Sequence, residues 1–127
     1  MSNYQHISFG QFGHVVDKTF LRESLGLTGS EISITNVAAG QGITFTHTHK
    51  QNEEVYLVFA GEGTFFMDGE EFPISAGSVL RVDPPGERAW KAGANGLSFF
   101  CIQTKQGSLE QASRIDGAKG NTKASWM

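Results

Sequence analysis

The sequence predicts an all-β fold, and three observations carry that expectation. Sixteen glycines and ten phenylalanines stand among 127 residues, a composition of aromatic-rich strands joined by tight turns. Between residues 30 and 104, apolar runs alternate with period two or read as unbroken β-formers, each ended by glycine, proline or Asp-Gly. Strands this short, at such close spacing, suit a sandwich or barrel of the jelly-roll kind.

Residues 1–29 are less regular and read as an N-terminal arm. Within them, K-T-F-L-R-E-S-L-G-L suggests one or two helical turns stopped by Gly26. E-I-S-I-T-N-V (31–37) alternates, with Ile32 and Ile34 on one face, and Gly40 and Gly42 break the chain after it. I-T-F-T-H-T-H (43–49) alternates strictly. V-Y-L-V-F-A (55–60) is a continuous apolar run that ends at G-E-G. Asp68-Gly69, between apolar flanks, marks a hairpin turn. F-P-I-S-A-G-S-V-L-R-V (72–82) gives a strand pair about Gly77. D-P-P-G is a turn, and L-S-F-F-C-I-Q-T (97–104) closes the series. Residues 105–127 lose the apolar pattern and read as a tail, whose Trp126 suggests that its end docks somewhere.

Composition narrows the function classes. Apolar residues make up 39% and charged residues 18%, the balance of one folded domain. The net charge is -3, with no cluster of Lys or Arg, so no nucleic-acid or membrane partner is expected. A lone cysteine, Cys101, forms no disulfide within the chain. With no secretory signal at the N-terminus, a cytoplasmic setting is expected.

The chemistry concentrates in T-H-T-H-K-Q-N-E-E (46–54). On a strand, residues two apart point the same way, so Ile43, Phe45, His47 and His49 share a face. Ile43 and Phe45 mark that face as the buried one. Imidazoles about 6–7 Å apart along a strand can converge on one ion. A carboxylate at the head of the next apolar run, Glu54, can complete the set. Glu53 is expected to face solvent. The bland reading is that histidines at a strand end are half-buried and hydrogen-bonded, without an ion.

The stretch resembles the first motif of the cupin superfamily: His-x-His, three or four residues, Glu, six residues, Gly. His47 and His49 take the histidine places, four residues lead to Glu54, and six more lead to Gly61. The glycine that opens the motif would fall on Gln41, between Gly40 and Gly42. G-S-V-L-R-V-D-P-P-G-E-R-A-W (77–90) resembles the second motif, but its histidine place falls on Arg88 or Ala89. The resemblance implies a double-stranded β-helix barrel with a metal or small-molecule pocket. It implies His47, His49 and Glu54 as ligands of a divalent ion (Fe, Mn, Ni or Zn). With no fourth protein ligand, either three positions stay open for water, substrate or dioxygen, or the barrel binds its ligand without metal.

Other residues carry two readings each. Arg88 either points inward to pair with a ligand anion or sits on the rim beside Glu87 or another acid. Trp90 floors a pocket or fills the core. Tyr56, which shares parity with Glu54, offers a hydroxyl near the ion or packs as core. Phe45, Tyr56, Arg88 and Trp90 are the candidate substrate-binding residues. Cys101 is expected to be a buried structural thiol, no acid or histidine partner that would make it a nucleophile being visible in the sequence, and His6 and His14 are expected at the surface. Two functions are expected in outline. One is a metal-dependent enzyme of dioxygenase or isomerase type acting on a small organic substrate. The other is a non-catalytic module that binds a sugar or other small molecule. A homodimer is expected in either case, because jelly-roll edges need covering.

Overall fold

The computed structural model describes residues 3–127. Six strands form one antiparallel sheet that curls into a barrel, in the order β1-β2-β6-β3-β4, with β5 pairing β3. They are β1 (Lys18–Phe20), β2 (Glu31–Val37), β3 (Asn52–Met67), β4 (Glu70–Ser75), β5 (Val79–Val82) and β6 (Arg88–Lys105). The helical pieces are short: a 3-10 turn at Phe12–His14, α1 (Arg22–Leu25) and α2 (Ser113–Asp116). Among the described residues, no helix is long and apolar enough to cross a membrane.

Strand β3 organises the barrel. Its first half pairs β5, its second half pairs β4, and β6 runs along its other edge. Glu54, Tyr56 and Val58 point inward and are buried, while Val55, Leu57 and Phe59 between them stay partly exposed. That alternation is the period of a half-buried strand. Inside, Tyr56, Phe65, Trp90 and Phe99 meet in edge-on and tilted pairs 5.2–5.8 Å apart. Ile74, Val82 and Leu97 fill the space around them.

Turn chemistry explains the connections. Asp68 and Gly69 have φ of 49° and 90°, the two positive values of a hairpin that matches strand twist. Where β3 and β6 slip register near Gly61, a Cβ on Gly61 would run into the Gly96 carbonyl. Only glycine lets the two strands approach there.

Three expectations need correction. Residues 43–49 do not form a regular strand. They hang beside β6 through two isolated bridges, Gly42 to Lys91 and His47 to Arg88. Strict alternation therefore fails, and Phe45, expected on the buried face, is 68% exposed. Residues 1–29 are not wholly irregular: Lys18–Phe20, read as helical, adds an edge strand to β2. The helix is confined to Arg22–Leu25, and Gly26 stops it in the left-handed conformation. Finally, Trp126 does not dock on its own chain, being 81% exposed.

Candidate metal centre

The barrel brings the two histidines and the glutamate together although they sit on different kinds of backbone. Glu54 belongs to β3 and points inward with 3% exposure. His47 and His49 lie on the irregular stretch, which backbone hydrogen bonds pin at Ile43, His47 and His49. His47 and Arg88 exchange backbone bonds of 3.2 Å, and the His49 amide donates to the Pro84 carbonyl at 2.9 Å. One ligand atom from each of His47, His49 and Glu54 lies within 4.8 Å of the others. His49 Nε2 and Glu54 Oε2 are 3.2 Å apart.

This donor set suits a divalent first-row ion. Donors bound at about 2.1 Å stand about 3 Å apart when adjacent on one ion. The His49–Glu54 spacing of 3.2 Å already matches that, and the His47 donor lies within 4.8 Å of both.

Glu54 is crowded. The Tyr56 hydroxyl donates to Oε1 at 2.6 Å, the Cys101 thiol donates to Oε2 at 3.3 Å, and Arg88 Nε lies 3.7 Å from Oε1. Burial alone would raise the Glu54 carboxyl. The Tyr56 and Cys101 hydrogen bonds, with His49 and Arg88 nearby, outweigh burial and hold it below the ordinary carboxylate value. Burial lowers His47, with Glu54 opposing and Arg88 assisting. The same burial, beside the Glu54 charge, pushes the Tyr56 hydroxyl and Cys101 thiol upward. Both therefore stay protonated as hydrogen-bond donors, and neither is a nucleophile at neutral pH.

Each candidate residue now has a position. Arg88 is not on the rim: it is fully buried. Its guanidinium donates to the carbonyls of Asp83 at 2.9 Å and His47 at 3.5 Å, and it faces Glu54 instead of open space. It therefore offers little to a ligand anion. Tyr56 is 2% exposed and Trp90 9%, so Tyr56 touches Glu54 from the core while Trp90 reaches cleft walls. Two clefts, of about 530 and 580 Å³, meet at Ile43, Phe45 and Trp90. His6 and His14 are exposed. Cys101 is the expected buried thiol, and a partner that the sequence does not show appears in the structure: it pairs across the strands with Tyr56 and so faces Glu54. That register is set by the bulges near Gly61, which the sequence pattern does not reveal. The cleft residues Lys18 and Thr35 were likewise missed, since they face each other only through the β1–β2 register.

A curled antiparallel barrel with two histidines and a carboxylate gathered inside it defines a class of protein. The chain belongs to the cupin domain family, whose sequence model matches residues 33–100. A cupin protein from Bacteroides fragilis is 41% identical with a TM-score of 0.87, the match covering 95% of this chain and 100% of that one. The fold is accordingly the double-stranded β-helix. A candidate sugar phosphate isomerase from Acidithiobacillus ferrooxidans shares the fold at 24% identity and TM-score 0.63, over 79% of this chain and 65% of that one. A predicted oxalate decarboxylase from Thermotoga maritima matches at 26% identity and TM-score 0.52, over 58% of this chain and 64% of that one. No curated protein matches the chain.

Proposed function

We propose that this cupin holds one divalent ion on His47, His49 and Glu54 and acts on a small organic substrate that enters from the cleft beside His47. The observation that carries the reading is the convergence of three ligand atoms within 4.8 Å, two of them on partly exposed imidazoles. Glu54 and Tyr56 are buried behind the site, and His47 lines the cleft. When bound, such an ion acts as a Lewis acid towards substrate oxygens, chemistry of the kind isomerase and dioxygenase cupins use. The protein's own part is to orient Glu54. The Tyr56 and Cys101 donors fix its carboxylate, and Arg88 offsets its charge.

Arg88 also favours a second reading, a metal-free binding module. A buried cation 3.7 Å from the only carboxylate of the set partly neutralises the charge an ion would be drawn to.

Elemental analysis and thermal shift separate the two. The wild-type protein should carry one equivalent of metal, and added Mn, Fe, Ni or Zn should raise its melting temperature. His49→Ala should lose both effects, and His14→Ala neither. A wild-type protein that never takes up metal would leave the binding-module reading in place.

A further inference from the structure

The cleft of about 580 Å³ beside His47 has two kinds of wall. Ile43, Phe45 and Trp90 supply an apolar surface, with the Phe45 ring standing out from the chain. Across from them lie Lys18 and Thr35, direct partners on β1 and β2. This is a suitable size and character for a small ligand, mostly apolar with a few polar groups that fix its orientation.

Among the described residues, neither Lys18 nor Thr35 has a side-chain hydrogen bond or ion pair, though Asn36 and Gln41 also line the cleft. Thr35 is 7% exposed, and its Oγ1 is buried with no hydrogen-bond partner. Among the described residues no carboxylate pairs with Lys18; its ammonium rests 5.0 Å from the Phe20 ring centre. Lys18 pairs with the buried Thr35, which itself pairs with the inward-facing Phe99, so the solvent-exposed Lys18 side chain leaves β1 on the side that faces the cleft. Arg88, the other cation nearby, is committed to Glu54 and two carbonyls. Asp17 also borders the cleft, so its field is not uniformly positive and one anionic group is the most it will take.

We propose that the cleft binds a small organic acid, its apolar body between Ile43, Phe45 and Trp90 and its carboxylate on the Lys18 ammonium and the Thr35 hydroxyl. The Thr35 hydroxyl is closed off from solvent, so it reaches the ligand after a turn about χ1 that exchanges it with its methyl. A hydroxyl bonded to nothing loses no partner in that turn, and a ligand oxygen relieves a buried group that now goes unmet. The proposal names a substrate class for the metal site, and rests on that reading for the reaction alone. The anion subsite stands without an ion.

The test is to titrate isovalerate and its uncharged isostere isovaleramide into the full-length protein, once with chelator and once with a saturating divalent ion. Tryptophan fluorescence or amide shifts report binding. The carboxylate should bind about tenfold tighter than the amide, the value of one charge-assisted bond. Lys18→Met should erase that preference, Lys18→Arg should keep it, and the distant Lys123→Met should leave it unchanged. Thr35→Val should weaken carboxylate binding while raising the melting temperature, a combination that a purely structural threonine would not give. Equal binding of the two probes, binding of neither, or an undiminished preference in Lys18→Met would overturn the proposal. A Lys18-dependent preference in a protein that never takes up metal would support this subsite and sink the metal reading. Metal uptake without any preference would do the reverse.

Discussion

Glu54 is where the site's energetics concentrate, because four side chains bear on one buried carboxylate. Removing Arg88 would leave that charge uncompensated. Arg88→Met should destabilise the metal-free protein by about 3 kcal/mol in urea unfolding, yet tighten divalent binding, since the competing cation is gone. Unchanged metal affinity would show that Arg88 does not tune the site. Protons act on the same groups. In the folded chain His47 lies below its ordinary 6.5 and Glu54 below its ordinary 4.5, so at each group the unfolded chain binds the proton more readily. Stability of the chelated protein should therefore fall as pH drops through about 6.5, and fall again below about 4.5. His47→Gln should remove the first decline, which urea midpoints across the acid range would reveal. At this scale the sequence was informative about spacing and blind to register. The His-x-His and Glu54 spacing pointed to one cluster. The inward turn of Arg88 and the Cys101 contact depend on which residues face across β6, and no local pattern encodes that.

Among the elements, the hairpin at Asp68-Gly69 was legible because its chemistry is local: two positive φ values are accepted most readily by Asp and Gly. Gly69→Val should cost more than about 1 kcal/mol. Gly61→Ala should cost more than Gly69→Ala, because Gly69 has open space around it while a Cβ at Gly61 meets backbone. Melting curves of the two alanine variants would test that order. The segment 43–49 misled for a physical reason. Alternation predicts a strand where a neighbour pairs every residue, but here the backbone pairs with β6 at isolated bridges, Gly42–Lys91 and His47–Arg88, and not along a ladder. Freed from a ladder, its backbone turns Phe45 outward while still presenting both histidines. The first half of β6 escaped notice for the opposite reason. R-A-W-K-A-G-A-N-G looks like a loop, yet Arg88, Trp90 and Ala92 all point inward.

For the whole molecule, the all-β class and the strand series were readable, whereas the edge strand β1 was not. Its three residues carry no pattern of their own, and only the pairing with β2 makes them a strand. We propose the homodimer because part of the apolar surface stays exposed, although Phe12 of the same chain already packs on Phe100. Val55, Leu57, Phe100 and Ile102 form a partly exposed outer face, and the tail presents Leu109, Ile115 and Trp126 with nothing to pack on. Light scattering at tens of micromolar should report a dimer, and a chain ending at Lys105 should associate more weakly; a full-length monomer would refute the expectation. The two-edged role of β3 has a consequence for the order of events during synthesis. Its first edge can be zipped early, since β4 and then β5 are the next two strands in the chain. Its other edge waits for β6, as do β2 and the histidine segment, because Ile32 needs Ile102 and His47 needs Arg88. Distant pairings of this kind close slowly. A ribosome therefore releases a half-sheet with a bare flank, and the three candidate ligands cannot meet until nearly the whole chain has emerged. Excess metal or ligand should accordingly do little to speed folding, and act mainly by slowing unfolding once the barrel is shut.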